Sequence, residues 1–311
     1  MIEKLVSVII PSFKMGQFIG EALDSVGAQT YPHWEVIVVD DAGPEDGTRA
    51  AVEAFVAKYT GHRVEYIRHE TNQGVSVARR TAFEAARGEF IAFLDADDVF
   101  IPEKLAKQIK VLENDADVIL VHGPVMEMGQ WPPHMDGPKE WFAAKSNSER
   151  YQVTPLDLVR HNHICNSTVV VRKCSMRRED FAPQMCFQFE DLFLWALLAK
   201  RGPFYYEKER LTGYRFHDGS FTAAVLARPG RLEFARLELT LALFPYLENW
   251  SDRVKLCAIM LENMTRLLGS RSARGTDVAG RYGLKLQLSL VCAAIWSVLC
   301  KIARRPFTTL S

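Results

Sequence analysis

Apolar positions in the first 122 residues gather into short continuous runs separated by amphipathic stretches. This is the pattern of strands buried on both faces and covered by helices. Val6–Ile10, Val36–Val39, Val64–Ile67, Phe90–Leu94 and Val118–Val121 predict strands, and Gln17–Ala28, Glu45–Tyr59, Val75–Ala86 and Pro102–Asn114 predict helices. From Gly123 to Tyr151 the periodicity is lost, and Trp131-Pro132-Pro133 and Trp141 stand among polar residues. That stretch reads as a long loop over the crevice. Beyond it the pattern predicts a helix over Pro155–His161, a strand over Ser167–Val171 and a helix over Asp191–Lys200. From Pro229 onward only helices are expected, at Leu232–Phe244, Arg253–Leu268 and Tyr282–Ile302. The expected fold is α/β: a doubly wound, mostly parallel sheet with helices on both faces, plus a C-terminal helical segment.

Ligands of such a sheet collect outside the carboxyl ends of its strands. Two of the strands end in carboxylates, one at Asp40-Asp41 and one at Asp95-Ala96-Asp97-Asp98. Parallel strands put both ends on one edge, so the clusters are expected to face one crevice. Clustered carboxylates without basic neighbours in sequence repel one another, which points to a bound cation.

Length and composition alter this picture little. A chain of 311 residues has room for two domains, and 48% hydrophobic with 24% charged residues excludes a disordered chain. Lys+Arg and Asp+Glu are both 38, a balance that favours no nucleic-acid partner. The distribution is uneven: from Arg266 to Ser311 eight basic residues face one acidic residue, Asp277, so that tail carries about +7. Such a tail suits an acidic partner surface, anionic lipid among them. The six cysteines show no metal-binding spacing, which suggests a reducing compartment. Met1-Ile2-Glu3-Lys4 runs directly into an apolar strand without a signal-peptide layout, so the expected location is cytoplasmic, with the inner face of the membrane as the peripheral alternative.

Seven short elements, in order, resemble the family 2 glycosyltransferases of GT-A fold. They are Val8-Ile9-Ile10-Pro11-Ser12-Phe13; Gln29-Thr30-Tyr31; Ile37-Val38-Val39-Asp40-Asp41; Asn72-Gln73-Gly74 with Ala78-Arg79; Phe93-Leu94-Asp95-Ala96-Asp97-Asp98; Glu190-Asp191; and Tyr214-Arg215-Phe216-His217. Any one alone is weak, because an acidic triplet or an acidic pair recurs by chance. The likeness covers Val6 to about Thr222 and implies a catalytic nucleotide-sugar domain over 1–222 followed by a helical region over 223–311.

The resemblance implies an inverting transfer from a nucleoside-diphosphate sugar, a UDP-sugar being favoured, to a glycan or lipid-linked acceptor. A divalent cation, Mn²⁺ or Mg²⁺, is expected to stabilise the departing diphosphate. Asp97 is the expected direct ligand and Asp95 is expected to face the ribose or metal-bound water, with Asp95-Ala96-Asp97 together holding the donor. The alternative is an acidic turn capping the next helix. Asp41 would accept from the nucleobase, with Pro11 and Ser12 as the floor beneath it and Asp40 supporting the turn. Arg79 either reaches the nucleotide or lies on a solvated helix face. Asp191, with Glu190 alongside, is implied as the general base. Acidic residues also favour a first helical turn, and that is the competing reading. His217 would complete the metal site or touch the diphosphate, and Arg215 would pair with phosphate; an ordinary loop histidine is the alternative. The remaining histidines are read as structural or exposed. Lys14, Ala42-Gly43 and Arg80 depart from the family's frequent Asn, Gly-Ser and Asn.

Leu288–Cys300 is apolar nearly all round but, at thirteen residues, is shorter than the ~20 a spanning helix needs. Burial against the catalytic domain, a homodimer seam and an interfacial anchor remain open for it. Two other function classes compete with the enzyme. One is a catalytically silent sugar- or lipid-binding module, against which Asp97, Asp191 and His217 weigh. The other is a dinucleotide oxidoreductase, disfavoured because Pro11-Ser12-Phe13-Lys14 stands where a glycine-rich fingerprint belongs.

Overall fold

The computed structural model describes residues 4–129, 149–181, 189–220, 223 and 231–269. The chain divides into two compact units, residues 1–218 and 219–311. In the first, an eight-stranded sheet is built from β1 (Val6–Ser12), β2 (Trp34–Asp40), β3 (Val64–Arg68), β4 (Phe90–Phe93), β6 (Leu120–His122), β8 (Arg150–Tyr151), β9 (Val170–Arg172) and β10 (Phe204–Tyr206), in the order β3-β2-β1-β4-β9-β6-β10-β8. β1 pairs in parallel with β2 and β4, β2 with β3, and β6 with β10. β9 runs antiparallel between β4 and β6, and β8 is antiparallel to β10 at the edge. The sheet is therefore mostly parallel, as the continuous apolar runs imply. Every residue of β2 is buried, and β1 is buried except at the half-exposed Pro11.

Helices α1 (Ile19–Gly27), α2 (Thr48–Lys58), α3 (Val75–Ala85) and α4 (Lys104–Asn114) cover the sheet. α1 turns Ile19, Ala22, Leu23 and Val26 inward, the 3-4 spacing of one helical face. α3 buries Ala78, Arg79, Ala82 and Phe83 by the same rule, so an arginine lies in its apolar stripe. α5 (Pro155–Arg160) is capped by Thr154, which exchanges hydrogen bonds with Asp157. α6 (Glu190–Leu198) is buried from Leu192 to Leu198, and its Trp195 packs edge-on against Phe93 of β4 at 5.1 Å between ring centroids. That contact fixes α6 to the strand that ends at the acidic turn.

A second sheet, of three strands, is less legible in the sequence. β5 (Val99–Phe100) pairs antiparallel with β11 (Thr212–Phe216), which pairs in parallel with β7 (Val125–Gly129). The expected loop over 123–151 is thereby corrected: strands form at both of its ends, because β7 and β8 find partners far away in sequence. Its middle, 130–148 with Trp131 and Trp141, lies outside the described residues.

In the second unit α7 (Arg231–Leu243) and α8 (Trp250–Gly269) share a small core of Phe234, Leu237 and Met260, with Leu241 and Met264 packed against it. The expected helix over 282–302, the apolar run Leu288–Cys300 and the basic pair Arg304-Arg305 lie outside the described residues. Among the described residues no helix is long and apolar enough to cross a membrane.

Candidate active site

The carboxyl ends of β1, β2 and β4 lie side by side, and the register sets Ser12 opposite Asp40. Asp40 supports its own turn. One carboxylate oxygen accepts from the Gly43 N–H at 2.8 Å and the other from Tyr66 Oη and Arg68 Nη1, both at 2.7 Å. Asp41 is 3% exposed and has a different set of partners. Its Oδ1 accepts from His69 Nδ1 at 2.7 Å and the Gln73 N–H at 2.9 Å, and its Oδ2 from the Gly74 N–H at 2.7 Å. His69 also bonds Thr81 Oγ1 through Nε2 at 3.0 Å, so it is a structural residue that holds Asp41. Gly74 has φ 89° and ψ 156°, a conformation essentially reserved for glycine, and this brings both loop amides onto the carboxylate. Oδ2 of Asp41 keeps room for one further donor.

The turn after β4 is gripped from β9's approach. Ser167 Oγ accepts from the Asp95 N–H at 3.0 Å and donates to Asp98 Oδ2 at 2.5 Å, while Asn166 Nδ2 donates to Asp95 Oδ1 at 2.9 Å. Buried Lys104 holds the Asn166–Thr168 turn from beneath, donating to the Thr168 carbonyl at 2.7 Å. Burial pushes that ammonium's pKa down to about 7. Asp98 is fully enclosed and also accepts from the Arg215 N–H at 2.9 Å. Burial, then the neighbouring Asp97 and Asp95, raise its pKa well above the usual carboxylate range. Asn166 and Ser167 were not legible as site residues, since a polar pair opening an apolar run is an ordinary strand start.

Asp97 meets His217 at the end of β11. Oδ2 of Asp97 and Nε2 of His217 are 3.2 Å apart, and the His217 ring packs on Phe18 at 4.5 Å. The short β5–β11 pairing produces this meeting, because it carries the chain just past Asp98 alongside the chain approaching His217. Arg215 is occupied within the protein, donating from Nε to the Asp97 carbonyl at 2.8 Å and from Nη2 to Glu21. Two donors in adjacent positions of one octahedral Mg²⁺ or Mn²⁺, each at ~2.1 Å, lie ~3 Å apart. The Asp97–His217 separation fits that requirement. Among the described residues no group of three or more His, Cys, Asp or Glu side chains is arranged to hold a metal.

Arg79 is 6% exposed, which overturns the solvated helix-face alternative. Its Nη2 donates to Asp95 Oδ1 at 2.7 Å and its Nη1 to Glu190. The guanidinium thus joins the acidic turn after β4 to the first turn of α6, where Asp191 stands. Burial pushes the Asp191 carboxyl up to about 7, and Glu190 adds to the rise while Arg79 opposes it. Glu190 is raised for the same first reason, burial, again against the pull of Arg79. Ala96 is buried in the core beneath the turn. Ser12 Oγ, Arg79 Nε and Asn166 Oδ1, all at this edge, are buried polar atoms without a hydrogen-bond partner. Native proteins rarely leave such atoms unpaired unless something else completes them.

The sequence model of glycosyl transferase family 2 matches residues 7–181, more than half of the chain. Over 108 residues the chain is 41% identical to TuaG of Bacillus subtilis, assigned to teichuronic acid biosynthesis, covering 35% of this chain and 42% of TuaG. Over 112 residues it is 40% identical to WfgD of Escherichia coli, a UDP-Glc:alpha-D-GlcNAc-diphosphoundecaprenol beta-1,3-glucosyltransferase, covering 36% of this chain and 42% of WfgD. The matched stretch spans about two fifths of these relatives' own length. Staphylococcus aureus TarS in complex with UDP-GlcNAc superposes with a TM-score of 0.65 at 19% identity, over 94% of this chain and 81% of that chain. A mannosyltransferase of Pyrobaculum calidifontis in complex with GDP-Man and Mn²⁺ gives 0.58 at 20% identity, over 94% and 86%. At such identities these superpositions establish the shared GT-A architecture. With that architecture in place and the family's sequence pattern running from the first strand to beyond β9, the chain belongs to glycosyl transferase family 2.

Proposed function

We propose that the protein is an inverting, divalent-metal-dependent glycosyltransferase that moves a sugar from a nucleoside diphosphate to a hydroxyl of a glycan or lipid-linked acceptor. The observation that carries this reading is the meeting of three acidic elements at one sheet edge: Asp41, the Asp95–Asp97 turn with His217, and Glu190-Asp191. The nucleobase lies over Pro11 and Ser12, with the free lone pair of Asp41 Oδ2 as acceptor for a base N–H. Asp95 faces the ribose. Asp97 and His217 would hold a Mn²⁺ or Mg²⁺ ion, whose chemistry would be to supply positive charge toward a departing diphosphate.

Asp191 removes the proton from the acceptor hydroxyl as that oxygen bonds to the anomeric carbon. The carbon–oxygen bond to the diphosphate breaks with its electron pair leaving on the diphosphate. Attack from the face opposite the leaving group inverts the anomeric centre. A base with its pKa near 7 is well matched to this task at neutral pH. A UDP-sugar is the favoured donor, since WfgD uses UDP-Glc and TarS has been captured with UDP-GlcNAc. WfgD also acts on a diphosphoundecaprenol-linked sugar, and an acceptor of that kind would bring the protein to the inner face of the membrane.

The test is a donor screen with and without Mn²⁺, reading nucleoside diphosphate release. Metal-dependent release from one UDP-sugar is expected. The absence of release from every UDP- and GDP-sugar, with acceptors supplied, would favour a silent binding module.

A further inference from the structure

Arg79 is buried, unlike a surface arginine, and it joins two elements of the site within the protein. The α3 stripe buries it, and its two η nitrogens are both committed to carboxylates, Asp95 on one side and Glu190 on the other. The partners belong to different elements: Asp95 to the donor-side turn, and Glu190 to the first turn of α6. Asp95 is held a second time by Asn166, so the donor-side end of the bridge is fixed. The α6 end begins at Glu190, and of its first two residues only Glu190 has a side chain tied to another element through Arg79. A donor phosphate could take either η nitrogen of Arg79 only by leaving a buried carboxylate unpaired, the strongly unfavourable way to break a buried pair, whereas Nε has no partner within the described protein.

We propose that Arg79 is a positioning residue for acceptor activation: its guanidinium ties Glu190, and with it the first turn of α6, to Asp95, so that Asp191 is held toward the donor. This rests on the reading of Asp191 as the base. Only arginine suits the position, because its rigid planar fork spans two carboxylates where a lysine ammonium serves one point. The charged and titratable groups around Asp191 are Glu190 on its own helix, Arg79 from α3, Asp95 from the turn and the Cys165 thiol. Arg79 is the cation in that set, so its loss leaves carboxylates facing one another.

The experiment compares wild type, Arg79→Lys, Glu190→Gln and Asp191→Asn in three readouts. These are UDP affinity with Mn²⁺ by calorimetry, amide hydrogen exchange along the chain, and the pH profile of kcat with the best UDP-sugar of a panel. For Arg79→Lys, UDP affinity is expected to stay within about threefold. Exchange is expected to rise about tenfold, confined to the first turn of α6 and the Asp95 turn. The rate at pH 7 is expected to fall about a hundredfold, and the acid limb of the profile to move up by about one pH unit. Glu190→Gln cuts the same bridge from the other end with a neutral side chain, and should reproduce the exchange pattern if the lysine variant does not fold. A tenfold loss of UDP affinity with α6 exchange unchanged would make Arg79 a donor ligand and overturn the proposal. Loss of protection throughout α3 and β4 in both variants would reduce it to a folding role. Wild-type turnover in Asp191→Asn would sink the base reading alone, leaving the bridge to be judged by exchange and UDP affinity.

Discussion

Asp191 meets two opposing demands. The proposed role as base requires it ionised, yet burial and Glu190 favour its neutral form and bring its pKa to about 7. Turnover should therefore fall as pH drops through about 7, since the protonated carboxyl cannot accept the hydroxyl proton. The same shift bears on stability. A carboxyl whose folded pKa is raised makes the folded state less stable once pH exceeds that value, and the cost fades as pH falls toward the unfolded pKa. Asp191→Asn is accordingly expected to raise Tm at pH 8, with the gain shrinking between pH 7 and pH 4; a lower Tm at pH 8 would contradict the assigned burial. Lys14 and Ala42 also carry strain, with φ of 61° and 56° in the left-handed region that side chains with a Cβ resist. They stand where the family resemblance leads one to expect Asn and Gly, the residues that tolerate this region best, so the departures carry a backbone cost. Ala42→Gly should stabilise the fold by about 0.5 kcal/mol, relief of strain outweighing the added freedom of the unfolded chain, as read from the urea midpoint. The burial of Arg79 is not part of the sequence reading, which leaves it at the nucleotide or on a solvated helix face, although it stands one residue past Ala78 and three before Ala82 in an apolar stripe.

At the scale of elements, whole apolar runs read well and short pairings did not. β1, β2 and β4 declare themselves because both faces are covered, leaving no polar alternation to confuse with a helix. β5 has two residues, and no local pattern marks a strand of that length; only its partner β11, far along the chain, makes it one. For that reason the Asp97–His217 meeting came from the family resemblance, whereas the facing of the two acidic strand ends came from topology. The loop before α3 is the element whose geometry depends most on one residue. Gly74→Ala should destabilise by about 1–3 kcal/mol. It should also weaken UDP binding, because the two amides that hold Asp41 would move together. Chemical denaturation and calorimetry on the same variant check both, and an unchanged UDP affinity would separate Asp41 from the nucleotide.

Over the whole molecule, the parallel sheet gathers Asp41 and the Asp95–Asp97 turn on one edge, and α6 is carried to that edge by Trp195 packing on Phe93. Under the proposed division between donor binding and proton removal, the two functions should be lost separately. Removing Mn²⁺ with a chelator is expected to weaken UDP binding about tenfold and to leave the fold intact, since the two proposed metal donors, Asp97 and His217, are half-buried side chains at the sheet edge, outside the hydrophobic core. Changing the base should do the reverse. The most direct measurement is therefore nucleoside diphosphate release and donor affinity in Asp191→Asn beside wild type, with Mn²⁺ and acceptor present. Release should fall by at least about a hundredfold while the donor Kd stays within about twofold. Release at the wild-type rate, or an equal loss of donor binding, would contradict the assignment of proton transfer to Asp191.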